Sequence, residues 1–174
     1  GGFKLTGEAA SDAVGRFGVS TAGDIDGDGF SDLIIGAYGN DAAGSNAGAA
    51  YVIFGQSFPP SSIALGTLGT QGFKITGEST SDSTGKATAF AGDVNGDGFD
   101  DFIIGGYGDD DGASNAGAAY VVFGSGTRLT SVNLATIAAG TGGFKIIGEL
   151  ANDNLGQSVA SAGDLNGDGF DDVL

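Results

Sequence analysis

The 174-residue sequence sets 22 acidic residues against six basic ones, a net charge of −16, and has no Cys, His, Met or Trp. No disulfide framework and no thiolate or imidazole metal site can be built from it, and its acidity would repel nucleic-acid phosphates. Glycine fills 36 positions, far above the usual ~7%. Even so, 40% of the residues are hydrophobic, which excludes disorder and fits many short strands joined by tight turns.

Taken in order, the chain repeats itself about every 70 residues. Gly2-Phe-Lys-Leu-Thr-Gly-Glu8 returns as Gly72-Phe-Lys-Ile-Thr-Gly-Glu78 and as Gly143-Phe-Lys-Ile-Ile-Gly-Glu149. Gly48-Ala-Ala-Tyr-Val-Ile-Phe-Gly55 returns as Gly117-Ala-Ala-Tyr-Val-Val-Phe-Gly124. Each unit reads as four strands. The first, at 17–22, 87–91 and 157–162, is rich in small residues and suits a crowded place where sheets converge. The second, at 32–36, 101–105 and 172–174, is an apolar run that predicts burial on both faces. The third, at 49–54 and 118–123, is β-branched and aromatic. The fourth, at 3–6, 73–76 and 144–147, alternates, which puts Phe and Leu or Ile on one face and assigns Lys4, Lys74 and Lys145 to a solvent face. No segment has sustained helical periodicity. The longer connections at 56–71 and 125–142 carry Ile63, Leu65, Leu68, Val132, Leu134 and Ile137, which predicts docking on a sheet edge and not a mobile loop.

A repeated four-stranded antiparallel unit is a β-propeller blade, so the fold class is all-β. The divisions are 1–8, the outer strand of a preceding blade; 9–78 and 79–149, two whole blades; and 150–174, the inner hairpin of a third. Two and a half blades cannot close a ring of the usual four to eight. The chain is therefore expected to be a piece of a longer protein, or a protomer that completes a ring or filament with others. The absence of an initial Met points the same way. Nothing has the form of a signal peptide or an apolar span, so no membrane insertion is expected.

Between the first and second strands lies the chemistry. Asp24-Ile-Asp26-Gly-Asp28-Gly-Phe30-Ser-Asp32 recurs as Asp93-Val-Asn95-Gly-Asp97-Gly-Phe99-Asp-Asp101 and Asp164-Leu-Asn166-Gly-Asp168-Gly-Phe170-Asp-Asp172. Positions 1, 3, 5 and 9 carry side-chain oxygens, and glycines at 4 and 6 allow a tight turn. Ten acidic residues (four, three and three) occupy these positions. Held together without a cation they would repel one another. A hard ion such as Ca²⁺ takes six to eight oxygens, and the carbonyl of Phe30, Phe99 or Phe170 would complete each shell. An EF-hand would need a Glu at position 12, where Ile35 and Ile104 stand. One Asp-Gly turn would be weak evidence, since hairpins use them for backbone reasons. Three with the same four oxygens point to one Ca²⁺ per loop, up to three. With Asn95 and Asn166 in place of Asp26, the first loop is expected to bind more tightly.

The loops, the following Asp32-Leu-Ile-Ile-Gly-Ala37 strand and the Gly-Ala-Ala-Tyr-Val-x-Phe-Gly strand resemble FG-GAP repeats, which build the propeller of integrin α subunits. The likeness is greatest to bacterial, secreted or cell-surface members and covers essentially the whole chain. It implies that Asp24, Asp26, Asp28, the Phe30 carbonyl and Asp32 bind Ca²⁺, with the matching positions of the other copies. It also implies that partners bind the opposite face, at 8–14, 78–84, 149–155, 39–47 and 108–116. Gly36-Ala-Tyr38 and Gly105-Gly-Tyr107 depart from the family's Gly-Ala-Pro. Gly15 precedes its loop by one residue more than Gly85 and Gly156 do, so a bulge in the first strand is expected.

The expected function is a calcium-stabilised, extracellular, non-catalytic structural or adhesion module whose partners are further repeats or neighbouring protomers. The alternatives are the propeller portion of a secreted hydrolase, or a propeller binding a carbohydrate or protein on the face opposite the calcium loops. Without His or Cys there is little for acid–base or nucleophilic chemistry. Three minor expectations remain. Glu8, Glu78 and Glu149 with Asp12, Asp82 and Asp153 should bond turn backbones rather than form a second polar or metal site. Asp109-Asp-Asp111 should be a solvated loop tip. Tyr38 and Tyr107 should pack across blades.

Overall fold

A computed structural model of the protein describes residues 2–174. Two sheets carry the complete units. In the first, β2 (Val19–Gly23), β3 (Asp32–Ala37), β4 (Ala49–Ile53) and β6 (Gly72–Thr76) lie side by side, all antiparallel. In the second, β7 (Ala87–Gly92), β8 (Asp101–Gly106), β9 (Ala118–Val122) and β11 (Gly143–Ile147) repeat that order. A third hairpin pairs β12 (Ser161–Gly163) with β13 (Asp172–Val173). The molecule is a partial β-propeller of four-stranded antiparallel blades.

Both faces of each complete sheet are apolar because each is covered. Ile34, Val52, Phe73 and Ile75 of the first sheet pack against Phe102, Ile104, Ala118 and Val122 of the second. The alternate residues Ile35, Tyr51 and Ile53 pack on Ile63, Leu65 and Leu68. On the far side of the second sheet, Ile103 and Val121 meet Val159 and Val173 of the third hairpin. This is why β3 and β4 read as continuous apolar runs and not as alternating strands.

The sheets converge on two glycines. A Cβ on Gly36 would lie 1.7 Å from the carbonyl oxygen of Gly85, and one on Gly105 would lie 1.8 Å from that of Gly156. Crowding is therefore tightest at the second strand, beside the small-residue first strand.

The long connections dock as expected, and onto the neighbouring unit. β5 (Ser62–Ala64) runs parallel to β1 (Lys4–Thr6), and β10 (Val132–Asn133) runs parallel to β6. Ile63, Leu65, Leu68, Leu134 and Ile137 are buried. The second connection also forms a short helix, α1 (Leu134–Ala138), capped by the Asn133 side chain, which accepts from the Ala135 N–H. Five residues are too few to show a helical period, so no pattern in the sequence marks it.

The bulge expected only in the first copy is shared by all three units, as a register shift beside Gly23, Gly92 and Gly163. The extra residue of copy one is absorbed earlier, in the turn before β2, where Phe17 is left exposed.

Candidate metal centre

Each acidic loop is wound around its first aspartate. The glycines at positions 4 and 6 adopt positive φ: 71° and 89° at Gly27 and Gly29, 74° and 89° at Gly96 and Gly98, 76° and 92° at Gly167 and Gly169. That turn aims the following amides inward. Asp24 Oδ1 accepts from the Asp28 N–H (3.0 Å) and Oδ2 from the Gly29 N–H (2.9 Å). Asp93 accepts likewise from Asp97 and Gly98, and Asp164 from Asp168 and Gly169. Position 3 accepts from the amide of position 5 in all three: Asp26 from Asp28, Asn95 from Asp97, Asn166 from Asp168. Position 5 accepts from position 7: Asp28 from Phe30, Asp97 from Phe99, Asp168 from Phe170. The three frames share these bonds, and loops 2 and 3 add one more to the first aspartate, from the amides of Gly96 and Gly167.

Carboxylate oxygens of Asp24, Asp26 and Asp28 lie within 4.8 Å of one another. The donors are all oxygen, which suits a hard divalent cation. A guanidinium already bridges two of the carboxylates: Arg128 Nε donates to Asp26 Oδ2 (2.5 Å) and Nη2 to Asp28 Oδ2 (2.6 Å). A cation thus stands against the trio in the folded chain, so the donor set fits one.

Position 9 holds the loop to the sheet. Asp32 is buried; its Oδ2 accepts from the Ile25 N–H (3.1 Å) and its Oδ1 from the Gly55 N–H (2.7 Å). Asp101 bonds Val94 and Gly124 in the same way, and Asp172 bonds Leu165. Burial pushes the carboxyls of Asp32 and Asp101 up to about 6, against the backbone bonds that favour their charged forms. Asp32 stands outside the close trio, and each of its oxygens keeps one lone pair beyond the amide it accepts.

The loops also interlock in series. Asp100, at position 8 of the second loop, accepts from the Asp24 N–H of the first (2.7 Å), and Asp171 accepts from the Asp93 N–H (2.9 Å). A Cβ on Gly27 would lie 2.7 Å from the Phe99 ring, and one on Gly96 would lie 2.3 Å from the Phe170 ring. Phe99 and Phe170 therefore have a side-chain role, against the glycine of the preceding loop, which the sequence reading missed. Asp100 was visible in sequence as an acid at a position where loop 1 has Ser31. Arg128 was not visible, because 102 residues separate it from Asp26.

A second polar seam corrects two expectations. Lys145 does not face solvent. Its side chain is 4% exposed, and its ammonium meets Glu78 Oε2 (2.7 Å), Asp109 Oδ2 (2.8 Å) and Asp111. Asp109 is no solvated tip either: it is buried, pairs with Lys145 and accepts from the Tyr120 hydroxyl (3.0 Å). It occupies the place that Asn40 has in the first unit, where Asn40 donates to Asp12 and Lys74 pairs with Glu8. The strand does alternate, but its polar side lies against the neighbouring unit.

Burial works against the charge of Lys145, yet Asp109, Asp111 and Glu78 hold its pKa above the ordinary value. Tyr120 is raised by burial and by Asp109 and Glu78, Tyr51 by burial and by Glu8. Glu8 is lowered, chiefly by its bond from Lys74. Asp12, Asp82 and Asp153 do accept turn amides, from Ala9, Ser79 and Leu150. Glu8 and Glu78 instead take Lys and Tyr donors. Tyr38 packs within its own unit, 5.7 Å from Phe17, and Lys86 spans from Phe17 of the first unit to Tyr107 of the second.

The FG-GAP repeat family profile matches residues 18–53 and 84–122. Those spans take in the first three strands of each complete blade and its acidic loop. The chain thus carries two FG-GAP repeats, one in each complete blade.

Proposed function

We propose that this chain is a calcium-stabilised, non-catalytic structural or adhesion module that works outside the cell. The observation that carries the reading is the common frame of the three loops, each turned on positive-φ glycines and presenting only oxygen donors. In the first loop Asp24, Asp26 and Asp28 would hold the ion, with the Phe30 carbonyl and Asp32 completing the shell. Asp93, Asn95, Asp97, Phe99 and Asp101 would do so in the second, and Asp164, Asn166, Asp168, Phe170 and Asp172 in the third. Bound Ca²⁺ would neutralise carboxylates that the hairpin forces together. Among the described residues, no helix is long and apolar enough to cross a membrane.

Extracellular modules bind Ca²⁺ with dissociation constants of about 10⁻⁴–10⁻³ M. At the tighter end of that range, three such sites at millimolar calcium would add about 4 kcal/mol to a fold that binds it only when native. For a chain of this size that corresponds to a fall in melting temperature of about 10 °C in chelator. Thermal melts in calcium and in excess EDTA test this, and superimposable melts would sink it.

The half-exposed group of Phe17, Tyr38, Lys86 and Tyr107 favours a second role. These residues sit at the strand ends opposite the loops, and aromatic faces with a cation suit a glycan or protein ligand. Titration with a glycan array, repeated on Tyr107→Ala, separates that role from a purely structural one.

A further inference from the structure

The acidic loops differ in what stands against them. Arg128 comes from the connection of the second unit and reaches back to loop 1 of the first. Its guanidinium carbon lies 4.6 Å from the centroid of the Phe54 ring, which backs it. Asp26, one of its two partners, has a side chain only 2% exposed.

The oxygens that Arg128 takes are the two that the loop leaves over. Asp26 Oδ1 and Asp28 Oδ1 already accept the amides of Asp28 and Phe30. Arg128 takes both Oδ2 atoms. A metal ion drawing on Asp26 and Asp28 would want those same atoms. In loop 2 the corresponding Asp97 Oδ2 accepts from the Asn95 amide nitrogen (3.0 Å), a neutral donor from within the loop. Among the described residues no basic side chain forms an ion pair with loop 2 or loop 3.

We propose that Arg128 is a built-in counter-cation that competes with Ca²⁺ for loop 1, so that filling loop 1 displaces an arginine belonging to the next blade. The proposal rests on the calcium reading above. It reverses the expectation from charge count: loop 1 has four aspartates where the others have three and an asparagine, yet it binds no more tightly than loop 2. Arg128 would also hold loop 1 and the second blade together when calcium is scarce.

The test is a calcium titration of the whole chain followed by ¹⁵N NMR. The amides of Gly27 and Gly29 report loop 1, and those of Gly96 and Gly98 report loop 2. In Arg128→Gln the loop 1 affinity should rise about tenfold, the loss of one bidentate charge-assisted contact, while loop 2 stays unchanged. The same variant should melt below the parent in EDTA. Arg128→Lys, which keeps the charge but loses the fork, should fall between the two. Loop 1 affinity that is unchanged or weaker in Arg128→Gln, with loop 2 still binding, overturns the competition and leaves the calcium reading intact. Glycine amides that ignore calcium at every loop of both proteins overturn the calcium reading, and the competition with it.

Discussion

Lys145 shows how far a single side chain depends on the neighbouring blade. It sits on the polar side of an alternating strand, so the sequence assigns it to water. In the fold that side lies against Glu78 and the 109–111 turn, and the ammonium becomes the centre of a buried ion cluster. Alternation reports which residues share a face; it does not report what covers the face. Lys145→Met leaves Glu78 and Asp109 close together without their cation. It should destabilise the chain by about 3 kcal/mol, since removing one partner strands the other charges. Urea unfolding measures this, and a change under about 0.5 kcal/mol, the size of an ordinary surface substitution, would contradict it.

Asp82 belongs to the same seam. Burial raises its carboxyl to about 6, with Asp109 and Glu78 adding to the rise and the Ser79 amide and Lys145 opposing it. The folded state therefore holds this proton more tightly than the unfolded chain does. The resulting stability is fully present below about pH 4 and is lost as the pH rises through about 6. Relative to Asp82→Asn, the parent should lose melting temperature across that window and stay lower above it. The comparison is made in calcium-free buffer, and a difference that stays flat with pH would contradict the assignment.

At the scale of elements, the hairpin loops were the most legible part of the chain. Their spacing is local, and the Asp-Gly alternation dictates the turn. Their interlocking was not legible, because Phe99 and Asp100 act on a loop 69 or more residues earlier. The short helix α1 was likewise invisible, whereas the burial of Leu134 and Ile137 was foreseen from a repeated apolar pair in an otherwise polar connection. The strands also depend on Gly36 and Gly105, where the backbones of adjacent units come together. Gly36→Ala would drive a methyl group into the Gly85 carbonyl. Backbone on both sides has little room to give, so a loss of about 3 kcal/mol or more is expected. Gly29→Ala is the contrast. Nothing lies within 4 Å of its Cβ position, and its cost is confined to the strain of φ 89°.

At the scale of the molecule, repetition made the architecture readable. A unit that recurs at about 70 residues with four strand-like segments can bury its sheet only by stacking on copies of itself. The two complete sheets do this through one shared core. What repetition could not convey is that the seams between blades are held by charge as well as by apolar contact: Lys74 with Glu8, Lys145 with Glu78, and Arg128 with the acidic loop. A strongly acidic chain places half of its six basic residues at these seams. Exposed apolar side chains occur in every unit: Phe17 and Phe30 in the first blade, Phe144 and Ile147 in the second, Leu165 and Phe170 in the last hairpin. The rings of Phe99 and Phe170 lie against Gly27 and Gly96 of the loops that precede them.

The central claim is that each acidic loop is a calcium site. Equilibrium dialysis against about 10 mM Ca²⁺, some ten times the weakest affinity of extracellular modules, counts the ions directly. The expected result is three ions per chain, falling to two in Asp93→Ala while the other loops stay filled. A chain that retains no calcium at that concentration, or a count that Asp93→Ala leaves unchanged, would contradict it.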